Sequence, residues 1–127
     1  MLKILLVEDN LDYRSTLKSA LLKRYEDMET RESSDVKEAL VIVDTYLPDL
    51  IFMDIDLKCD VNGLELTKII TNIHPEIVVA ILSRHDIQEY RYVAQQNCAD
   101  FFFSKNDSLE SIFEYVGSVI ENKHRSH

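Results

Sequence analysis

Four short apolar runs, Ile4 to Val7, Leu50 to Met53, Ile77 to Leu82 and Phe101 to Phe103, punctuate a chain that otherwise reads with helical spacing. Each has strand length and is almost unbroken by polar residues, the pattern of a strand buried on both faces of a parallel sheet. A fifth, weaker strand is expected over Met28 to Glu32. Between the runs, apolar residues recur every three or four positions: Tyr13, Leu17, Ala20 and Leu21; Val36, Ala39, Leu40 and Val43; Leu66, Ile69, Ile70 and Ile73. Each set lays one stripe of a helix on the sheet. The last helix is the clearest, with Leu109, Ile112, Phe113, Val116 and Ile120 on one face and Asp107-x-x-Glu110 at its start as a capping box. The fourth, from about Asp86 to Gln96, offers only Tyr90, Val93 and Ala94, so it is expected to be the least firmly anchored.

Strands alternating one for one with helices predict an α/β domain, a doubly wound five-stranded parallel sheet with five helices. Right-handed crossovers leave few topologies, of which the order 2-1-3-4-5 is expected here. The length of 127 residues fits a single domain, taken as residues 1–123 with a short tail over 124–127. Only two Gly and two Pro exclude a low-complexity chain, and the six-residue run Ile77 to Leu82 is far short of the roughly 20 residues that span a bilayer. The amino-terminal apolar stretch meets Glu8 and Asp9 too early for an export signal, and Cys59 and Cys98 have no metal-ligand spacing. A cytoplasmic protein with two reduced thiols is the expectation. Its formal charge of -9 is the wrong sign for binding nucleic acid or an anionic membrane and suits a basic partner or a cation.

In a sheet of this order the ligand crevice lies at the carboxyl ends of the strands where the order reverses, between strands 1 and 3. The sequence puts Glu8 and Asp9 after strand 1 and Asp54 after strand 3. Three converging carboxylates repel one another, and a divalent cation relieves that repulsion. Oxygen ligands without His or Cys favour Mg²⁺ or Mn²⁺. Ser83 after strand 4 and Lys105 after strand 5 point to the same rim. Singly, each residue could be no more than a cap or a solvated charge. Together, a carboxylate nucleophile, a cation site, a hydroxyl and a fixed ammonium are what positioning a phosphoryl group requires.

With Leu5-Leu-Val-Glu-Asp9, Asp49-Leu-Ile-Phe-Met-Asp54, Ala80-Ile-Leu-Ser83 and Ala99-Asp-Phe-Phe-Phe-Ser-Lys105 in this order, the chain resembles the receiver domain of two-component response regulators, a flavodoxin-like fold, from about Leu2 to Asn122. The resemblance implies that Asp54 is the phosphoacceptor, taking a phosphoryl group from a histidine kinase or a phosphotransfer protein. It implies that Glu8 and Asp9 hold the metal directly or through water with Asp54, and that the Asp56 backbone carbonyl is a further ligand. Ser83 would close on the phosphoryl oxygens, Lys105 would pair with Asp54 and then with the phosphoryl group, and Phe102 would take the place of the aromatic switch residue. Asp56 and His85 would flank the path of the hydrolytic water and tune dephosphorylation. A homodimer through the fourth helix, last strand and last helix is a further expectation. Such a protein catalyses only its own phosphoryl transfer and autodephosphorylation and is not otherwise an enzyme.

Several positions depart from the family pattern. Asn106 stands where Pro usually follows the Lys, as in the subclass whose receivers precede a helix-turn-helix DNA-binding domain. Lys58 stands where Pro is common, the loop from Asp54 to Gly63 is about one residue longer than usual, and Phe102 replaces a frequent Tyr. Three other functions compete with this one. A phosphatase of haloacid-dehalogenase type also uses a nucleophilic Asp and Mg²⁺, but Leu57 follows Asp54-Ile-Asp56, no acidic pair follows Lys105, and no cap domain is present. A flavin carrier of the same fold would need a Ser/Thr/Gly-rich loop where Asn10-Leu-Asp-Tyr stands. A phosphorylation-independent receiver-like binding module is the remaining alternative.

Overall fold

The structure is a computed structural model that describes residues 1–55, 57, 62–84, 88–97, 99–106 and 108–125, and of 88–91 and 123–125 only the backbone. Its elements run β1 (Leu2–Val7), α1 (Leu11–Arg24), β2 (Met28–Ser33), α2 (Val36–Tyr46), β3 (Leu50–Asp54), α3 (Gly63–Ile73), β4 (Val78–Ser83), α4 (Gln88–Gln96), β5 (Phe101–Ser104) and α5 (Leu109–Arg125). All strand pairings are parallel and the order is β2-β1-β3-β4-β5. This is the topology expected from the alternation, with strand ends shifted by a residue or two. The shift that matters is at the carboxyl ends: Asp54 and Ser83 are the last residues of β3 and β4 themselves.

Side chains alternate across the strands and divide the core into two layers. One holds Leu5, Val7, Ile51, Met53, Val79, Ile81 and Phe102 against Ala39, Val43, Ile70 and Ala94 of α2, α3 and α4. The other holds Ile4, Leu6, Phe52, Leu82 and Phe103 against Leu17 and Leu21 of α1 and Ile112 and Val116 of α5. Both faces of the sheet are therefore covered, which is why its strands read as apolar runs. In α4, Ala94 is buried against the sheet as the sequence suggests, but Val93, expected on the same face, is exposed together with Tyr92, because it lies about 100° around the helix from Ala94.

Among the described residues, three helices start on polar caps: Asn10 accepts from the Tyr13 N–H, Asp35 from Glu38 and Asn62 from Glu65. All three caps close loops at the carboxyl edge of the parallel sheet, and Asn10 and Asn62 fix where α1 and α3 begin, beside the ends of β1 and β3. At the opposite end of the domain, α2 stops on Leu47, whose φ of 53° is left-handed, just before Pro48. No helix among the described residues is long and apolar enough to cross a membrane.

A candidate phosphoryl-acceptor site

At the carboxyl edge between β1 and β3, Glu8, Asp9 and Asp54 each offer a carboxylate oxygen, and the three atoms lie within 4.8 Å of one another. Glu8 and Asp54 are buried, so the acids are largely withdrawn from water. Lys105, arriving from the end of β5, places its ammonium 2.7 Å from Glu8 Oε2 and 3.3 Å from Asp54 Oδ1. Among the described residues, one ammonium thus pairs with two of three clustered acids, and the surplus is negative.

The backbone around these side chains is held from several directions. Glu8 Oε1 accepts from the Asn10 N–H at 3.1 Å, and the Glu8 carbonyl accepts from Arg14 Nη1 at 2.9 Å. The Arg14 guanidinium is itself held by Glu32 at 3.2 Å, so the first turn of α1 clamps the end of β1. The Ile55 N–H donates to the Leu82 carbonyl, and the Lys105 N–H donates to the Ser83 carbonyl at 2.7 Å. The Asn106 side chain donates to the Arg84 carbonyl at 3.1 Å, and its N–H donates to Ser104 Oγ at 3.2 Å. The loop after β5 is in this way sewn to the end of β4 without the proline the family usually has there.

Burial is the main cause that lifts the Glu8 carboxyl from its ordinary value to about 7; the Asp54 charge also raises it, and Lys105 and the Asn10 N–H pull it down. Asp9 carries a second sign of the same imbalance: its Oδ2 is buried and has no hydrogen-bond partner among the described residues. An orphaned carboxylate oxygen is costly without a compensating charge. Two buried acids, a third with an unsatisfied oxygen, and donors that are all oxygen fit a hard divalent cation such as Mg²⁺.

Other sequence candidates fall as follows. Ser83 is fully buried at the end of β4, opposite Ser104 in the register with β5. Phe102 is buried beside Ile81 and packs in the layer that includes Ala94, on the α4 side of the sheet. Asp56, His85, Lys58, Cys59, Cys98 and Asp107 lie outside the described residues, as does the side chain of Tyr90.

Three contributors went unrecognised in the sequence. Tyr13, read only as part of a core stripe, puts its ring 4.9 Å from the Lys105 ammonium. Arg14 holds Glu8 as described. Gly63 is required by space: a Cβ there would stand 2.0 Å from the Asp54 carbonyl oxygen. In a chain with only two glycines, one at the end of the loop that follows Asp54 was a readable signal.

The profile of the response regulator receiver domain matches residues 4–117. The chain belongs to that family. Among curated relatives, the receiver is similar to the transcriptional regulatory protein DegU of Brevibacillus brevis, 28% identical over 94% of this chain and 50% of that protein. It is also similar to the oxygen regulatory protein NreC of Staphylococcus haemolyticus, 29% identical over 96% of this chain and 56% of that one. The chain spans about half the length of these relatives. Among solved structures, the receiver domain of NtrX from Brucella abortus superposes with a TM-score of 0.84 at 30% identity, covering 93% of this chain and 98% of that one. A CheY-like receiver protein from Methanospirillum hungatei, 19% identical with a TM-score of 0.86 over 100% of this chain and 99% of its own, shares the fold.

Proposed function

We propose that this receiver is a phosphorylation-dependent switch in which Asp54 accepts a phosphoryl group from the phosphohistidine of a sensor histidine kinase or a phosphotransfer protein. The observation that carries the reading is the Lys105 ammonium shared between Glu8 and Asp54, at 2.7 and 3.3 Å, inside a buried group of acids. An Asp54 oxygen forms a bond to phosphorus while the donor's P–N bond breaks, and the bonding pair leaves with the imidazole. The product is an acyl phosphate. Attack by water later returns the carboxylate and releases inorganic phosphate, so the chain catalyses its own transfer and hydrolysis and nothing else.

Asp9 and Asp54, with Glu8 directly or through water and the Asp56 backbone carbonyl, are the residues that would hold Mg²⁺ or Mn²⁺. When bound, the cation offsets charge on the phosphoryl oxygens. Lys105 neutralises a second side of the same group, which requires its ammonium to shift from Glu8 toward Asp54. Ser83, on the adjacent strand end, donates its hydroxyl to a phosphoryl oxygen. The added charge of about 1.5 to 2 at neutral pH is a large local event in so buried a place. Phe102, one strand away and buried against α4, is positioned to pass the change to the face made by α4, β5 and α5. That face carries the exposed Phe101 and Tyr92 and is the one proposed to form a phosphorylation-favoured homodimer.

Residues 1–123 make up the receiver in this reading, working in the cytoplasm without direct contact to nucleic acid or membrane, as a charge of -9 favours. Asp56 and His85 keep the part of setting the lifetime of the acyl phosphate, which Asp56→Asn and His85→Ala test through its decay. The central test is phosphorylation by acetyl phosphate with Mg²⁺. One phosphate should be gained, and Asp54→Asn should gain none. Equal labelling of that variant overturns the assignment, and labelling that ignores Mg²⁺ overturns the cation site.

A further inference from the structure

We infer that Tyr13 is a positioning residue for phosphoryl transfer, its ring face holding the Lys105 ammonium beside Asp54. The inference rests on the reading of Asp54 as acceptor and adds a residue to it. Lys105 is nearly buried, and among the described residues three groups face its ammonium: Glu8 Oε2 at 2.7 Å, Asp54 Oδ1 at 3.3 Å and the Tyr13 ring at 4.9 Å. Both carboxylates have other work in the reaction. Asp54 gives an oxygen to phosphorus, and Glu8 belongs to the cation site. Of these three groups, the ring is the one with no other part in the reaction, so it can stay with the ammonium throughout. A ring face attracts a cation through its quadrupole, an attraction that grows when water is excluded, and it carries no charge that would hold the ammonium back from the phosphoryl oxygens.

The ring is placed by its own turn of helix. The Tyr13 N–H donates to Asn10 Oδ1 at 3.0 Å, and the Asn10 N–H donates to Glu8 Oε1 at 3.1 Å, so cap, ring and acid form one chain of contacts around Lys105. Burial, helped by the charges of Glu8 and Asp54, pushes the phenol up to about 12, which keeps Tyr13 neutral at any working pH. A tyrosinate would compete for the ammonium; the neutral ring does not.

Two measurements on the whole chain test this. In the NMR spectrum of the wild type, the Lys105 ε-CH₂ protons should be displaced upfield by the ring current, and Tyr13→Leu should abolish the displacement while Tyr13→Phe keeps it. With acetyl phosphate and saturating Mg²⁺, Tyr13→Leu should form the acyl phosphate on the order of tenfold more slowly, and Tyr13→Phe should recover most of that loss. Lys105 protons at their ordinary position in the wild type overturn the inference whatever the variants do. So does a Tyr13→Phe protein as slow as Tyr13→Leu. A wild type that labels, with Tyr13→Leu labelling equally fast, removes Tyr13 alone; a wild type that takes no phosphate removes the acceptor reading with it.

Discussion

The Lys105 ammonium stands closer to Glu8, at 2.7 Å, than to Asp54, at 3.3 Å. The unphosphorylated site therefore stores its cation mostly on the acid that is not the proposed nucleophile. A hydrogen-bonded, nearly dry ion pair of this kind is costly to break by removing one partner. It is less costly to exchange, because a phosphoryl group on Asp54 offers Lys105 more charge than it gives up.

The protonation of Glu8 gives the first prediction. Its carboxyl is raised from 4.5 to about 7, chiefly by burial, so between those values the folded chain holds a proton that the unfolded chain has lost. The stability this contributes is complete below about pH 4.5 and disappears as pH rises through about 7. Without divalent cation, the wild type should lose about 1–3 kcal/mol between pH 5 and 8 that Glu8→Gln does not lose, measured by urea unfolding. Mg²⁺ affinity should move the opposite way and weaken as pH falls from 8 to 6, because protonation removes a negative charge from the site. Parallel pH profiles for wild type and Glu8→Gln would contradict both statements.

Asp9 should show stability and binding with opposite signs. Its Oδ2 is buried without a hydrogen-bond partner among the described residues, beside two other acids. Replacing it with Asn removes a charge from the cluster and should stabilise the cation-free protein by about 1 kcal/mol. The same change should weaken Mg²⁺ at least tenfold, more than Glu8→Ala does, if Asp9 is the direct ligand. Thermal melts with and without Mg²⁺ read both effects, and an Asp9→Asn protein that Mg²⁺ still stabilises like the wild type would refute the ligand role.

Leu47 offers a test far from the site. Its left-handed backbone, φ 53°, costs a side chain with a Cβ about 1–2 kcal/mol, whereas Asn tolerates that region. Half of Leu47 is already exposed, so little burial is forfeited. Leu47→Asn should gain about 0.5–1 kcal/mol, a rise in Tm of a few degrees, with phosphorylation unchanged. A lower Tm would mean that Leu47 contributes more through packing than its conformation costs.

The doubly wound sheet was legible because strands such as Leu50–Asp54 are buried on both faces and so carry unbroken apolar residues. Glu8, Asp9 and Asp54 were legible as a group because topology alone brings the ends of β1 and β3 together. The place of Tyr13 was not. Its position in an apolar helical stripe has the same spacing whether the ring meets core or an ammonium, and its partner lies 92 positions further along the chain, a separation no local pattern reports. Arg14 was hidden in the same way, since nothing in the first turn of α1 distinguishes a solvated guanidinium from one that grips the Glu8 carbonyl.

Gly63 links the fold to the chemistry most directly. It opens α3, its N–H donates to the Ile55 carbonyl at 3.2 Å, and the space where a Cβ would stand is taken by the Asp54 carbonyl oxygen at 2.0 Å and the Ile55 Cα at 3.0 Å. Ordinarily, Gly→Ala at the start of a helix is neutral or stabilising, because Ala loses less backbone entropy on folding. Here the obstacle is backbone, not a side chain that could swing away, so either α3 or the end of β3 must move. Gly63→Ala should destabilise by about 2–4 kcal/mol. Because the displaced group is the Asp54 main chain itself, acyl-phosphate formation should slow by at least tenfold even in the fraction that stays folded, as misplacement of a reacting group by about 1 Å does elsewhere. Calorimetry and phosphate incorporation per folded molecule measure the two effects separately. A Gly63→Ala protein that melts like the wild type would show that α3 can retreat freely, and one that is destabilised but labels at full rate would show that α3, and not β3, gives way.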